Sequence, residues 1–356
     1  MNEQSRNYDQ LLKDGKYEEA RQVLTEALQT EPEDCSLLSA MGLTLRHQRD
    51  YLASSGFYRQ ALAVEPTNPD ALCGFGDALR GLKQYEAAIE SWKKYLHVKD
   101  LQDIYVLTRI ADCYKNLRNF EESRSYYLQV LALKPQNRYG LIGLADLYHK
   151  QGMEAQAIEF YEKALENGVT LINILTIVGN LHYRQGNYEK ARGYYERTLA
   201  QEPENAYALF GLGNYYRWKS DYRRSIELWE SIKEVNSSTS NMLTRLGDAY
   251  RNIGQFEAAE QTYKKNMALG YNKFSFIGLI KLHCIQLQMK EACSFYDELL
   301  KHEHGEDRKV FSEVCDMFIK RNKPELAREF LRHSLDRQKD NRNISRIIED
   351  RLRQLG

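Results

Sequence analysis

The side chains best suited to chemistry recur on a fixed interval. Asp77, Asp112, Asp146, Asn180, Asn214 and Asp248 follow one another at 34 or 35 residues. Three residues beyond each stands Arg80, Lys115, His149, Tyr183, Arg217 or Arg251, and Arg46 extends the series towards the N-terminus. Carboxylates and amides beside guanidinium groups can hold the backbone and acidic side chains of an extended ligand. Residues three apart on a helix are also neighbours, so the same groups can form a ladder of ion pairs that only orients helices. The residues alone leave both readings open.

Catalytic arrangements are harder to find. The chain has no HExxH, no GxxxxGK[ST] and no nucleophile elbow. His302 and His304 flank Glu303 in KHEHGED, but two histidines at that spacing read first as a solvated loop. No cofactor or metal is expected, and the chain reads as a non-enzyme. The six cysteines are scattered without a CxxC pair, as in a reduced cytoplasmic protein. No apolar leader opens the sequence and no run approaches the length of a membrane span. The 50 basic and 50 acidic residues cancel, which argues against nucleic acid as the partner.

The elements that carry these side chains show the same period. An alanine or serine at 20, 54, 88, 123, 157, 191, 225, 259, 292 and 327 is followed four residues later by Leu24, Tyr58, Trp92, Tyr127, Tyr161, Tyr195, Trp229, Tyr263, Tyr296 or Leu331. A period near 34 from end to end marks a solenoid of stacked helical hairpins. Within a unit, apolar residues at positions 4, 7, 8 and 11 and at 20, 24, 27 and 28 give two helices, A and B. Gly15, Gly152, Gly186 and Gly254 mark the turn between them. Pro32, Pro66, Pro135 and Pro203 fall where helix B must stop.

The unit, as in LGNYYRWKSDYRRSIELW and VGNLHYRQGNYEKARGYYERTLAQEP, resembles the tetratricopeptide repeat. The resemblance covers essentially the whole chain and implies an all-α superhelix of ten hairpins. The repeats lie near 1–34, 35–68, 69–103, 104–137, 138–171, 172–205, 206–239, 240–272, 273–307 and 308–341, with a capping helix at 342–356. That last stretch presents Ile344, Ile347, Ile348, Leu352 and Leu355 on one face, to cover the final hairpin or to meet a partner.

In the resembled family positions 2, 5, 9, 12 and 13 of helix A line a concave groove. Most tyrosines fall at packing positions, but Tyr105, Tyr139, Tyr207, Phe210, Tyr183 and Trp218 fall on that face. The expected ligand site is Tyr139, Asn180, Tyr183, Tyr207, Phe210, Asn214, Arg217 and Trp218, with Trp218 alternatively covering the end of its own helix. Position 5 is never lysine, so the family's carboxylate clamp does not carry over. Nor does the asparagine ladder of its sugar-transferring relatives, because position 6 holds glycine or Arg109 and Arg245.

Alternate units are the more alike. Gly74, Gly143, Gly211 and Gly278 occupy position 6 in the odd units, and Thr108, Thr176 and Thr244 occupy position 5 in the even ones. This 68-residue alternation reads as duplication of a pair, or as a row of backbone notches along the groove. The expected function is a non-catalytic scaffold that binds a peptide or partner protein. An accessory subunit of a glycosyltransferase or envelope-assembly enzyme is the alternative, and RNA binding through Arg46, Arg80, Lys115 and Arg251 a third.

Overall fold

The computed structural model of the chain describes residues 3–99, 102–232, 239–303, 307 and 309–355. Among them the regular structure is entirely α-helical, in two compact units that meet in sequence at Thr170 and Leu171. The first unit holds α1 (Glu3–Lys13), α2 (Tyr17–Thr30), α3 (Cys35–His47), α4 (Tyr51–Val64), α5 (Pro69–Gly81), α6 (Tyr85–Lys99), α7 (Ile104–Asn116), α8 (Phe120–Leu133), α9 (Arg138–Lys150) and α10 (Glu154–Glu166). The second holds α11 (Ile172–Arg184), α12 (Tyr188–Gln201), α13 (Ala206–Trp218), α14 (Tyr222–Glu230), α15 (Thr239–Asn252), α16 (Phe256–Ala268), α17 (Lys273–Ile285), α18 (Met289–His302), α19 (Val310–Lys320), α20 (Pro324–Arg337) and α21 (Arg342–Gln354). Odd-numbered helices up to α19 are A helices, and the even-numbered are B helices.

The turn from A to B is the same in all ten hairpins. One residue is left-handed: Gly15, Arg49, Lys83, Arg118, Gly152, Gly186, Ser220, Gly254, Leu287 or Asn322. The next N–H donates to the carbonyl five residues back, as Lys16 does to Leu11 and Asp50 to Leu45, both at 2.9 Å. This satisfies carbonyls that the end of helix A leaves open. The other end of the hairpin is set by proline. Glu31, Glu65, Lys134 and Glu202 each precede a proline and leave the helical region, with φ between −125° and −142°. Three residues further on, Asp34, Asn68, Asn137 and Asn205 cap the next A helix by accepting a backbone N–H.

The core follows from the small and large positions. Position 20 is buried, and Ser54 and Ser123 donate their hydroxyls to the carbonyls of Gly42 and Ala111 on the facing helix. The ring at position 24 then packs directly against the glycine where position 8 has one. A Cβ on Gly76 would stand 2.4 Å from the Trp92 indole nitrogen, and one on Gly213 2.2 Å from that of Trp229. Those indoles donate to the carbonyls of Cys73 and Phe210, each at 3.2 Å. Within each unit A helices also touch A helices: α3 with α5, α7 with α9, α11 with α13, and α15 with α17. The last hairpin docks A on A and B on B, through α17–α19 and α18–α20. Ile344 and Ile348 of α21 are fully buried in its core.

Candidate functional site

The glycines at position 6 are not notches in a groove. A Cβ on Gly74 would lie 2.2 Å from the ring of Tyr58, on Gly143 2.3 Å from Tyr127, on Gly211 2.4 Å from Tyr195 and on Gly278 2.4 Å from Tyr263. Each glycine admits the position-24 tyrosine of the hairpin before it. Three of those hydroxyls continue to position 9 of their own hairpin, Tyr127 to Asp112, Tyr195 to Asn180 and Tyr263 to Asp248. Where position 24 is tryptophan, the following position 6 is an arginine, Arg109 after Trp92 and Arg245 after Trp229. At these hairpins the alternation is a packing alternation, tyrosine entering at glycine and tryptophan followed by arginine, while Tyr161 of the fifth hairpin is followed instead by Ile177. The threonines at position 5 turn inward too, since Thr108, Thr176 and Thr244 donate to the carbonyl four residues back in their own helices.

The polar groups form a diagonal that crosses three A helices at positions 12, 9 and 6. In the first unit it reads Arg46, Asp77, Arg109. Asp77 is 6% exposed, takes a hydrogen bond from Nη1 of Arg46, and has Nη1 of Arg109 2.8 Å from its Oδ1. This bridge borders a concavity of about 740 Å³ lined also by Arg80, Asp112 and Lys115. Lys115 lies 3.2 Å from Asp112 on its own helix and 3.8 Å from Asp146 on the next. The ladder of acids and bases thus pairs both along and across helices.

In the second unit the same diagonal reads Tyr183, Asn214, Arg245. The Tyr183 hydroxyl donates to the Asn214 carbonyl at 3.4 Å, and Nη1 of Arg245 donates to Oδ1 of Asn214. Nε of Arg245 donates to Oδ1 of Asn241 at 2.9 Å, and the guanidinium stands 5.3 Å from the centre of the Phe210 ring. Burial, and then the charge of Arg217, hold the Arg245 pKa below the ordinary guanidinium value. Arg217 itself makes no side-chain hydrogen bond or ion pair with the described residues, and its Nε is buried without a partner.

Seven of the eight expected site residues belong to the second unit, and Tyr139 belongs to the first. Tyr139 is half-exposed, with its hydroxyl accepting from Arg138 at 2.7 Å. Tyr183, Phe210 and Asn214 come together around Arg245, and Arg217 lies close enough to act on that guanidinium. Asn214 is only 5% exposed, so its amide holds neighbouring helices rather than standing open. Asn180 is exposed but engaged by Tyr195, while Tyr207 is 64% exposed at the start of α13. Trp218 packs at a tilt against Tyr188, ring centroids 4.2 Å apart, and lies under Lys219, covering the corner of the preceding hairpin while remaining 45% exposed. Arg245 is the residue that sequence reasoning missed. Its only sign was the tryptophan sixteen residues before it, Trp229, which repeats the pairing of Trp92 with Arg109 at seventeen.

The histidine cluster resolves differently. His302 stacks on Tyr271 with centroids 4.5 Å apart, and Glu303 takes Nζ of Lys273 at 2.6 Å. His304 lies outside the described residues. Burial pushes the thiols of Cys113 and Cys284 up to about 12 and that of Cys293 to about 11, so none is a ready nucleophile at neutral pH.

Sequence profiles described as tetratricopeptide repeat match residues 108–168 and 179–229, 57–90, and 240–265. Cellulose synthase 1 operon protein C of Komagataeibacter xylinus is 25% identical over 184 residues, covering 48% of this chain and 14% of that protein. Anaphase-promoting complex subunit 6 of Arabidopsis thaliana is 30% identical over 116 residues, covering 32% and 21%. The matched stretches make up a quarter or less of these and the other similar curated proteins. Among solved structures PilW, a widely conserved type IV pilus biogenesis factor, aligns with a TM-score of 0.52 at 17% identity over 58% of this chain and 98% of its own, a likeness of fold.

Proposed function

The chain belongs to the tetratricopeptide-repeat superfamily, and from that premise we propose that it is a non-catalytic scaffold whose second unit binds a peptide segment of a partner protein. One observation carries the reading. The A-helix face around α11, α13 and α15 keeps aromatic and cationic side chains that hairpin packing does not consume, namely Tyr207, Arg217 and the accessible parts of Tyr183 and Phe210. Aromatic residues beside arginine supply most of the affinity at protein interfaces. Tyr139 in the first unit extends the reading to an independent contact there.

A second reading is an accessory subunit of a glycosyltransferase or cell-envelope assembly enzyme. The resemblance to a cellulose synthase operon protein favours it, over the matched half of this chain. The two readings share the binding face and differ in the partner. Six free cysteines favour a reducing compartment, the cytoplasm, and no described helix is long and apolar enough to cross a membrane.

The test is affinity purification of the tagged chain from its native cell, with mass spectrometry of what is retained. Tyr207→Ala with Phe210→Ala is expected to remove the specific partner while leaving helicity by circular dichroism intact. Arg192→Ala with Glu196→Ala, on the B helix α12, is expected to leave recovery unchanged. Undiminished recovery by the first pair would overturn the site.

A further inference from the structure

We propose that the cavity between α1, α3 and α5 in the first unit binds a primary ammonium group carried on a short aliphatic stem. The site lies apart from the second-unit face described above and stands or falls independently of it.

One position-24 tyrosine lacks the partner that its counterparts have. Tyr127, Tyr161, Tyr195 and Tyr263 each donate the hydroxyl to position 9 of their own hairpin, to Asp112, Asp146, Asn180 and Asp248. Tyr296 of the ninth hairpin is met by Gln338 instead. In the second hairpin position 9 is Leu43, which can accept nothing. Tyr58 is only 2% exposed, and its hydroxyl makes no hydrogen bond with the described residues. The hydroxyl end of the ring passes over Gly74, where a Cβ would stand 2.4 Å from Oη, and borders a cavity of about 400 Å³. Small-molecule sites begin at about 300 Å³. Oγ of Ser39, which lines the same cavity, is likewise buried without a partner. Buried hydroxyls left unbonded are unfavourable, so two of them beside one cavity mark a place for a ligand atom.

The charges around the cavity give the sign of that ligand. Asp9 of α1 and Asp70 of α5 line it and form no ion pair with the described residues. The one base in the lining, Arg46, is already engaged by Asp77. An anion would meet two uncompensated carboxylates, whereas a cation is drawn to them. A primary ammonium has three donors and no acceptor. Ser39 Oγ, Tyr58 Oη and the Asp70 carboxylate supply three acceptors, the set needed to offset the loss of its water. Burial foremost, with Asp70 adding to it and Arg46 opposing, pushes the Tyr58 hydroxyl up to about 12, so the phenol stays neutral and able to accept. Leu12 and Leu43, partly exposed in the lining, offer the stem an apolar surface. A free alkylamine and a lysine side chain share this chemistry.

Isothermal titration calorimetry of the full chain with pentylamine, pentanol and N-acetyl-lysine methylamide tests the site and separates the two sources. An ammonium compound is expected to bind about tenfold tighter than pentanol or more, the size of one hydrogen-bonded charge. Binding of pentylamine alone identifies a free amine, and tighter binding of the lysine derivative identifies a side chain. Asp70→Asn is expected to erase the preference over pentanol. Tyr58→Phe breaks no existing bond, so it is expected to weaken amine binding about threefold to tenfold with the thermal midpoint unchanged. Tyr127→Phe, which removes the bond to Asp112, is expected to lower the midpoint and leave amine binding unchanged. Equal affinity for pentylamine and pentanol, with no binding of the lysine derivative, would overturn the site. Amine affinity unaltered by both Asp70→Asn and Tyr58→Phe would overturn it as well. Neither result bears on partner recovery through the second unit, so the two readings fail separately.

Discussion

Gly211→Ala distinguishes a packed position 6 from an open groove. The added methyl would stand 2.4 Å from Cζ, 2.5 Å from Cε1 and 2.8 Å from Cε2 of Tyr195. Carbon atoms in contact need about 3.5–4.0 Å, so ring and helix must part by roughly 1 Å. The ring cannot retreat cheaply. It is 1% exposed, faces Gly179 of its own hairpin on the other side, and its hydroxyl is bonded to Asn180 at 2.8 Å. Overpacking of this kind costs about 1–3 kcal/mol, and alanine returns about 0.5–1 kcal/mol of helix propensity. The expected net loss is about 1–2 kcal/mol, read as a lower urea midpoint by circular dichroism. Gly193→Ala on α12 is the control, because a Cβ there meets nothing within 4 Å. It is expected to gain about 0.5–1 kcal/mol from propensity alone. Equal stabilisation by the two substitutions would refute the reasoning, since position 6 would then be open as a backbone notch.

Two further outcomes follow from the turns and the buried titratable groups. Leu287 holds the left-handed turn position with φ 62°, so Leu287→Gly is expected to raise stability by about 1 kcal/mol, and Gly186→Ala at the same place in its own turn to lower it by about as much; a loss from the first or a gain from the second in chemical denaturation would contradict this. Burial pushes the Tyr58 hydroxyl and the Cys113 and Cys284 thiols up to about 12. The unfolded chain loses these protons first, thiols near ~8.5 and tyrosine near ~10, so their stability contribution is whole below about pH 8.5 and declines as pH rises towards 12. Thermal midpoints that stay flat between pH 8.5 and 11 would contradict it.

The hairpin architecture was legible because its causes are local. Small and large residues recur four apart, and each proline forces the residue before it out of the helix. The Asp or Asn two residues after that proline caps the next helix. The turn was half legible. Glycine announced the left-handed position in four hairpins, whereas Arg49, Lys83, Arg118, Ser220, Leu287 and Asn322 take it because the same hydrogen bond to the carbonyl five residues back closes the turn.

The candidate site was legible in type but not in partnership. Periodicity identifies which positions are small, but not that the ring filling a position-6 glycine comes from the preceding hairpin. The diagonal joining positions 12, 9 and 6 links residues 31 or 32 apart on separate helices, so spacing along one helix could not reveal it. Arg245, read at position 6, was therefore not placed in the expected site, and Asn214 looked available although Arg245 already engages it. Trp218 fell on the expected face by helical phase, yet its ring turns to Tyr188 at the hairpin corner.

The central claim is that the A-helix face of the second unit meets the partner. A photo-crosslinking phenylalanine analogue in place of Tyr207, activated in the native cell, tests it most directly, with the same analogue in place of Glu196 on α12 for comparison. The account expects adducts from position 207 that map to one segment of a partner protein, and none from position 196. Adducts from 196 alone, or equal yields from both positions with the same partner, would contradict it.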